Sequence, residues 1–173
     1  MDIHTVRGLL YFQNLTQIDI LTMVGLDLDD SAVDEIARAW PQVETLYLMG
    51  CSHYTELCPT LQRLCSFTQH CASLRTLWIA FDASIVPTPR IVVSQQALTE
   101  LDVWNSPITT PLPVARFIAA NFLNLEYIGS CWNGWDEFDD DDMFLHDSWD
   151  EVDRLVQGDD LSEGERDWER NGS

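Results

Sequence analysis

The sequence predicts a mixed α/β fold in which short parallel strands alternate with helices. A six-residue pattern, apolar-x-x-apolar-x-apolar, recurs five times at intervals of 24 to 31 residues. Most segments between these copies place their apolar residues at helical spacing. Units of this length stack side by side, because a single unit cannot bury its own apolar face.

The five copies of the pattern predict five short strands. The copies end with apolar residues at every second position, as a strand with one buried face does. The copies occupy residues 15–20, 43–48, 74–79, 98–103 and, in a weaker form, 125–130. Strands joined by helical returns pair in parallel, so we expect their apolar rows to share one core.

Residues that start and stop helices place helices between the strands. Asp29 and Asp30 can cap a first helix. Pro59 suits the first turn of a second, and Pro113 opens a third. The segment 83–96 holds two prolines and is expected to be an irregular or extended connection.

A strand and a helix repeated at this interval match the leucine-rich repeat. The predicted fold is therefore an α/β leucine-rich-repeat solenoid over residues 1–133, with about five irregular units and a parallel sheet on its concave face. The ninth position of such a repeat should be Asn or Cys, whose side chain bonds to loop backbone. It holds Cys51 and Asn133 in two units, and Asp82 and Ser106 in two others. The alternative is a generic α/β domain whose periodicity arises by chance.

Charge divides the chain unevenly. Residues 1–133 carry 13 acidic residues and 6 arginines, a net charge of −7, whereas residues 134–173 carry 16 and 3, a net charge of −13. Aromatic and aliphatic residues from Trp135 to Val156 interleave with the acidic ones, which predicts an acidic-aromatic capping segment over 134–157 that includes a helix at 147–157. A partner-binding acidic segment is the competing hypothesis. Residues 158–173 are expected to be disordered.

The composition also restricts the chemistry of the chain. It contains no lysine, which excludes a Walker phosphate loop and a Schiff-base lysine. Its five cysteines form no C-x-x-C pair, and no catalytic or metal-binding motif is present. We therefore expect no enzyme activity, no cofactor and no metal site. Without a secretory signal or a membrane-length apolar run, the protein is expected to be cytoplasmic or nuclear with reduced thiols.

The strand residues between the buried positions are the candidate binding site. In this repeat they point to the open concave face, and Tyr47, Trp78 and Trp104 are expected to form an aromatic ladder. Exposed aromatics beside charges are typical of interaction hot spots, although the same rings could instead pack on one another or under a loop. An acidic surface favours a basic protein or peptide and disfavours nucleic acid and anionic membranes. The candidate protein-binding residues are Asp19, Tyr47, Met49, Trp78, Glu100, Asp102, Trp104 and Tyr127.

Several segments resemble the C-terminal half of fungal F-box/leucine-rich-repeat proteins. The resemblance lies in the strand opening 74–79, the helix ending 39–42, and the closing runs 132–138 and 149–152. It extends from residue 1 to about residue 155. It implies a protein-interaction module that recognises substrates for a ubiquitin ligase adaptor.

In that family an N-terminal F-box holds Skp1 within a cullin complex. No segment of this chain resembles an F-box, so Skp1 and a cullin are expected partners only if an F-box lies outside it. The alternative function is that of an acidic leucine-rich-repeat protein which binds histones or other basic proteins. An enzyme is a more remote alternative.

Overall fold

The five repeated segments form the five strands of one parallel sheet. A computed structural model of the protein describes residues 6–22, 26–50, 58–87, 95–130 and 140–158. The strands follow one another across the sheet in chain order, which confirms the predicted mixed α/β fold with parallel pairing. They are β1 (Gln17–Thr22), β2 (Thr45–Gly50), β3 (Thr76–Ile79), β4 (Glu100–Asp102) and β5 (Tyr127–Gly129).

The strands pair so that equivalent positions of successive units lie side by side. One inward row crosses the entire sheet, and each of its members is at most 5% exposed. This inward row consists of Ile18, Leu46, Leu77, Leu101 and Ile128.

The same backbone hydrogen bonds join each unit to the next. The carbonyl oxygen of Thr16 accepts from the N–H groups of Glu44 and Thr45, at 2.8 and 3.1 Å. The carbonyl oxygens of Glu44, Arg75 and Thr99 accept two successive N–H groups of the following unit in the same way. The repeat in the sequence is thus also a repeat in backbone geometry.

Four helices accompany the sheet in the described ranges. They are α1 (Asp30–Ala39), α2 (Leu64–His70, preceded by a 3₁₀ turn at Leu61–Arg63), α3 (Pro111–Asn121) and α4 (Asp140–Val156). Their buried residues share one hydrophobic core with the inward row.

The predicted helix start agrees with the structure at α1 and differs from it at α3 and α4. As predicted, Asp29 caps α1, since its Oδ1 accepts the Ala32 N–H at 2.7 Å. The third helix begins at Pro111 rather than at Pro113, and either proline tolerates the first turn because its missing N–H has no partner there. The fourth begins at Asp140, earlier than predicted, and acidic residue types suit a helix N-terminus.

Helix α4 packs against α3 and against the last strand. Trp149 is 1% exposed, meets Phe81 edge to face at 5.7 Å, and donates its indole N–H to the Ser106 carbonyl at 2.8 Å. Asp153 accepts the N–H of Ile128, in β5, at 2.8 Å. A backbone donor of β5 is therefore satisfied by a side chain of α4.

Every helix in the described ranges is too short or too polar to cross a lipid bilayer. The predictions for Cys51 and Asn133, for residues 88–94 of the connection 83–96, and for the tail from residue 159 concern residues outside the described ranges.

Removing the buried anchor of α4 should strongly destabilise the protein. We expect Trp149→Ala to lower the free energy of unfolding by about 3–5 kcal/mol, since it creates a cavity and removes an indole hydrogen bond. Phe144→Ala, in the same helix but at a side chain that is 55% exposed, should cost less than about 0.5 kcal/mol. Urea unfolding measures both, and equal losses would contradict the packing of α4 against the core.

Candidate functional site

The side chains that alternate with the inward row share the opposite side of the sheet, which we call the open sheet face. Two rows in strand register define it. The first row is Gln17, Thr45, Thr76, Glu100 and Tyr127; the second is Asp19, Tyr47, Trp78, Asp102 and Gly129.

An aromatic pair lies at the middle of the second row. The rings of Tyr47 and Trp78 have their centroids 4.5 Å apart and are tilted by 37°. Both side chains are partly exposed. The indole N–H of Trp78 donates to Oε1 of Glu100 at 3.1 Å, which links the pair diagonally to the next strand. This hydrogen bond was not predicted from the sequence, although a Trp and a Glu on one face of adjacent strands are within diagonal reach.

The open sheet face carries negative charge only. The five strands contain three carboxylates, those of Asp19, Glu100 and Asp102, and no Arg, Lys or His. Partial burial raises the pKa of the Tyr47 hydroxyl, and the negative charges of Glu100 and Asp19 raise it further. The negative charges of both carboxylates are thus felt at the Tyr47 hydroxyl, within the aromatic pair.

Asp102 lies on this face as predicted, but the expectation that it is accessible is wrong. It is only 2% exposed, and its Oδ1 accepts the N–H of Trp104 at 2.9 Å. Gly129, its neighbour in β5, has no side chain, and the phenol of Tyr127 occupies that space. A Cβ on Gly129 would lie 2.9 Å from both the Tyr127 hydroxyl and Asp102 Oδ2. Tyr127 itself remains 52% exposed.

Trp104 does not belong to the aromatic ladder predicted with Tyr47 and Trp78. In strand register the neighbour of Trp78 is Asp102, and Trp104 follows the end of β4 with a φ of 54°. Trp104 instead lines a small cavity, together with Met49, Ala80 and other residues. That cavity measures about 20 Å³, which is room for one water molecule and not for a ligand side chain.

Asp19 and Met49 complete the predicted site residues. Asp19 is exposed beside Tyr47, as expected for an accessible carboxylate. Met49 pairs with Leu21 of β1, and Leu21 is 59% exposed, so the face ends in an apolar strip at this corner.

The thiols of the described cysteines have low reactivity. Burial raises the pKa of Cys58 and of Cys71 to about 12, and it also raises the pKa of Cys65. Cys71 is fully buried, and its thiol donates to the carbonyl oxygen of Ala37 at 3.3 Å. Neutral thiols are poor nucleophiles and poor metal ligands, and no group of three potential metal ligands occurs within the described ranges.

Comparison with known proteins provides no assignment for this site. No protein-family model matches the sequence, and no curated protein matches it at a significant level.

Adding one methyl group at Gly129 tests the arrangement of Tyr127 over Asp102. Gly129→Ala should displace the phenol and lower the free energy of unfolding by about 1–2 kcal/mol, because a packed contact is lost and a buried carboxylate is uncovered. Gly8→Ala is the matched control, since a Cβ at Gly8 meets nothing within 4 Å. If urea unfolding gave the two variants the same stability, the position of the Tyr127 ring would be wrong.

The raised thiol pKa predicts slow alkylation. With a pKa of about 12, roughly one Cys71 thiol in ten thousand is ionised at pH 8. Iodoacetamide should therefore label Cys71 in the folded protein only through the small population of transiently opened molecules, and rapidly in urea. Mass spectrometry of proteolytic fragments measures the labelling, and fast modification of Cys71 under native conditions would disprove its burial.

Proposed function

We propose that the protein is a leucine-rich-repeat interaction module that binds a basic segment of another protein across the open sheet face. We further propose that it serves as the substrate-recognition part of an F-box-type ubiquitin ligase adaptor and is not an enzyme. The observation that carries the binding proposal is the composition of the face: aromatic side chains and carboxylates, with no cation on any of the five strands.

Three features support the leucine-rich-repeat architecture. The strands follow chain order in one parallel sheet, and the same paired hydrogen bonds recur at each junction between units. The ninth position of the fourth unit also supports the repeat, although it holds serine rather than Asn or Cys. There, the buried hydroxyl of Ser106 accepts the backbone N–H of Phe81 in the preceding unit at 2.9 Å, and donates to the carbonyl of Val103 in its own unit.

The physical chemistry of the face favours a cationic protein segment. Partly exposed aromatics supply apolar contact area with little loss of side-chain entropy, and the adjacent carboxylates supply charge complementarity. The adjacent strand rows offer a continuous surface rather than an enclosed cavity, which suits an extended or helical segment better than a small molecule.

The adaptor role rests on the resemblance to F-box/leucine-rich-repeat proteins, in which the repeats hold the substrate. A cullin complex would then be reached only through an F-box outside this chain. Because the chain contains no lysine, such a complex could not attach ubiquitin to an internal lysine amine of this subunit. The module would thus present a substrate without offering a lysine of its own.

The acidic C-terminal segment favours the alternative of binding to histones or other basic proteins. Residues 134–173 carry a net charge of −13, which attracts such proteins without any defined face. Co-purification separates the two functions: Skp1 with a cullin supports the adaptor, whereas histones alone support the alternative.

Binding at the open sheet face should depend on its accessible carboxylates. For an octapeptide of alternating serine and arginine, we expect the double variant Asp19→Asn/Glu100→Gln to weaken binding about tenfold at low salt. The control Glu35→Gln/Asp150→Asn removes two carboxylate charges from helices α1 and α4 and should change binding less than about twofold. Isothermal titration at two salt concentrations measures the affinities, which should fall with salt. Equal losses in the two double variants would show that only overall charge matters and that the face is not the binding site.

A further inference from the structure

We propose that Trp78, Tyr47 and Glu100 form an arginine-selective subsite at the centre of the open sheet face. The inference rests on the proposed function, because it specifies which cation of a basic segment the face recognises. Its occupant is the planar guanidinium of one arginine side chain, stacked on the aromatic pair and paired with Glu100.

The spacing of the two rings determines where a cation can bind. With centroids 4.5 Å apart and an interplanar angle of 37°, Tyr47 and Trp78 contact each other and leave no gap between them. An alkylated ammonium group is roughly spherical and is bound best by aromatic walls on several sides. A guanidinium is flat and stacks on a single ring surface. The geometry therefore favours arginine over an alkylated lysine.

Glu100 is held in the position that such a guanidinium requires. The indole N–H of Trp78 lies in the plane of its ring, so the carboxylate that accepts it at 3.1 Å sits at the ring edge. This bond engages Oε1, and within the described ranges Oε2 accepts no hydrogen bond. A guanidinium stacked on the indole can direct its N–H groups over this edge to the carboxylate. Because the bond to Trp78 restricts Glu100 before the ligand arrives, less side-chain entropy is lost on binding.

Asp19 provides the second charge of the subsite, whereas Asp102 does not. Asp19 is exposed and lies next to Tyr47 in strand register, on the side away from Trp78. Its charge and that of Glu100 both bear on the Tyr47 hydroxyl, so they flank the aromatic pair. Asp102 is nearly inaccessible beside the Tyr127 phenol and already accepts the Trp104 N–H. Its role is to hold the end of β4.

Lysine should bind this subsite less well than arginine. Its ammonium is a compact, strongly hydrated charge that cannot stack, and it reaches a carboxylate as a point charge only. The discrimination comes from the rings and from the geometry of Glu100, not from the overall field, which attracts both residues equally.

The test uses the full chain and four peptides that differ at one position. Each has the sequence Ser-Lys-Gly-X-Gly-Lys-Ser with blocked ends, where X is arginine, lysine, trimethyllysine or the neutral isostere citrulline. Titration monitored by the indole N–H resonance of Trp78, assigned with Trp78→Phe, gives a dissociation constant for each peptide. We expect the arginine peptide to bind about fivefold more tightly than the lysine peptide, and the citrulline peptide to bind more weakly than either.

Three variants locate the selectivity. Glu100→Gln keeps an acceptor for the Trp78 N–H but removes the charge, and should reduce the preference for arginine over lysine to less than about twofold. Trp78→Phe keeps a ring but frees Glu100, and should reduce the preference partially; because this variant lacks the indole reporter, isothermal titration measures its dissociation constants. Glu35→Gln, which removes one charge from the exposed side of helix α1, should leave the preference unchanged. Urea unfolding of each variant verifies that the sheet is intact.

The outcomes separate this inference from the proposed function. Equal affinity for the arginine and lysine peptides would overturn the subsite while leaving the basic-segment function in place. Tighter binding of the trimethyllysine peptide would overturn it in favour of an aromatic cage. If none of the four peptides bound, the proposed function and the subsite would both be wrong.

Discussion

The structure depends on one packing constraint: every strand places an aliphatic side chain in the same inward row. From Ile18 in β1 to Ile128 in β5 these side chains are adjacent in register and shielded from water. Burying each is worth about 1.5–3 kcal/mol, and a shift by one residue would turn a whole strand's apolar set towards solvent. Because the register is fixed by the buried row, the residues between the buried positions necessarily align on the open sheet face. The candidate site is therefore a geometric consequence of the core.

Buried polar side chains stabilise the loops between strands by hydrogen bonds to their backbone groups. Gln95 accepts the N–H of Leu98 at 2.6 Å and donates to the carbonyl of Leu74 at 2.9 Å, so one side chain bridges two units before β4. Ser106 does the same after β4, between Phe81 and Val103. Loops between parallel strands leave backbone groups without sheet partners, and satisfying them inside the protein avoids a cost of about 1–3 kcal/mol each. The irregular lengths of the repeats are tolerated because such side chains replace a uniform turn.

The sequence predicted the strands well because their signal is local, and it failed where the outcome depends on a distant residue. Alternation within six residues is enough to identify Leu46 and Leu77 as buried and Tyr47 and Trp78 as facing the other way. The burial of Asp102, however, depends on Gly129 and Tyr127, which arrive one unit later in the chain. Helix α4 likewise begins earlier than predicted, at Asp140, where acidic residue types suit a helix N-terminus.

Trp104 illustrates how a site can be misjudged even when the fold is right. It occupies the seventh position of its repeat, whereas Tyr47 and Trp78 occupy the fifth, so counting positions would have separated it from them. Even so, no count predicts its left-handed backbone, because φ > 0 is rare for a non-glycine residue and is imposed by its surroundings. Here the Asp102 carboxylate is one of those surrounding groups, because it accepts the Trp104 N–H. A buried acid thus shapes the border of the face without being accessible to a ligand.

The negative charge of the open sheet face and its proposed selectivity for arginine have different physical origins. The acidic segment 134–173 and the carboxylates of the face have the same sign, so the segment does not complement the face electrostatically. Together they attract any basic molecule and accelerate its association, but such a field cannot distinguish one cationic side chain from another. Distinction requires short-range contacts whose geometry only one partner satisfies. In the proposed arginine subsite these contacts are the tilted rings of Tyr47 and Trp78 and the carboxylate that the indole holds at their edge.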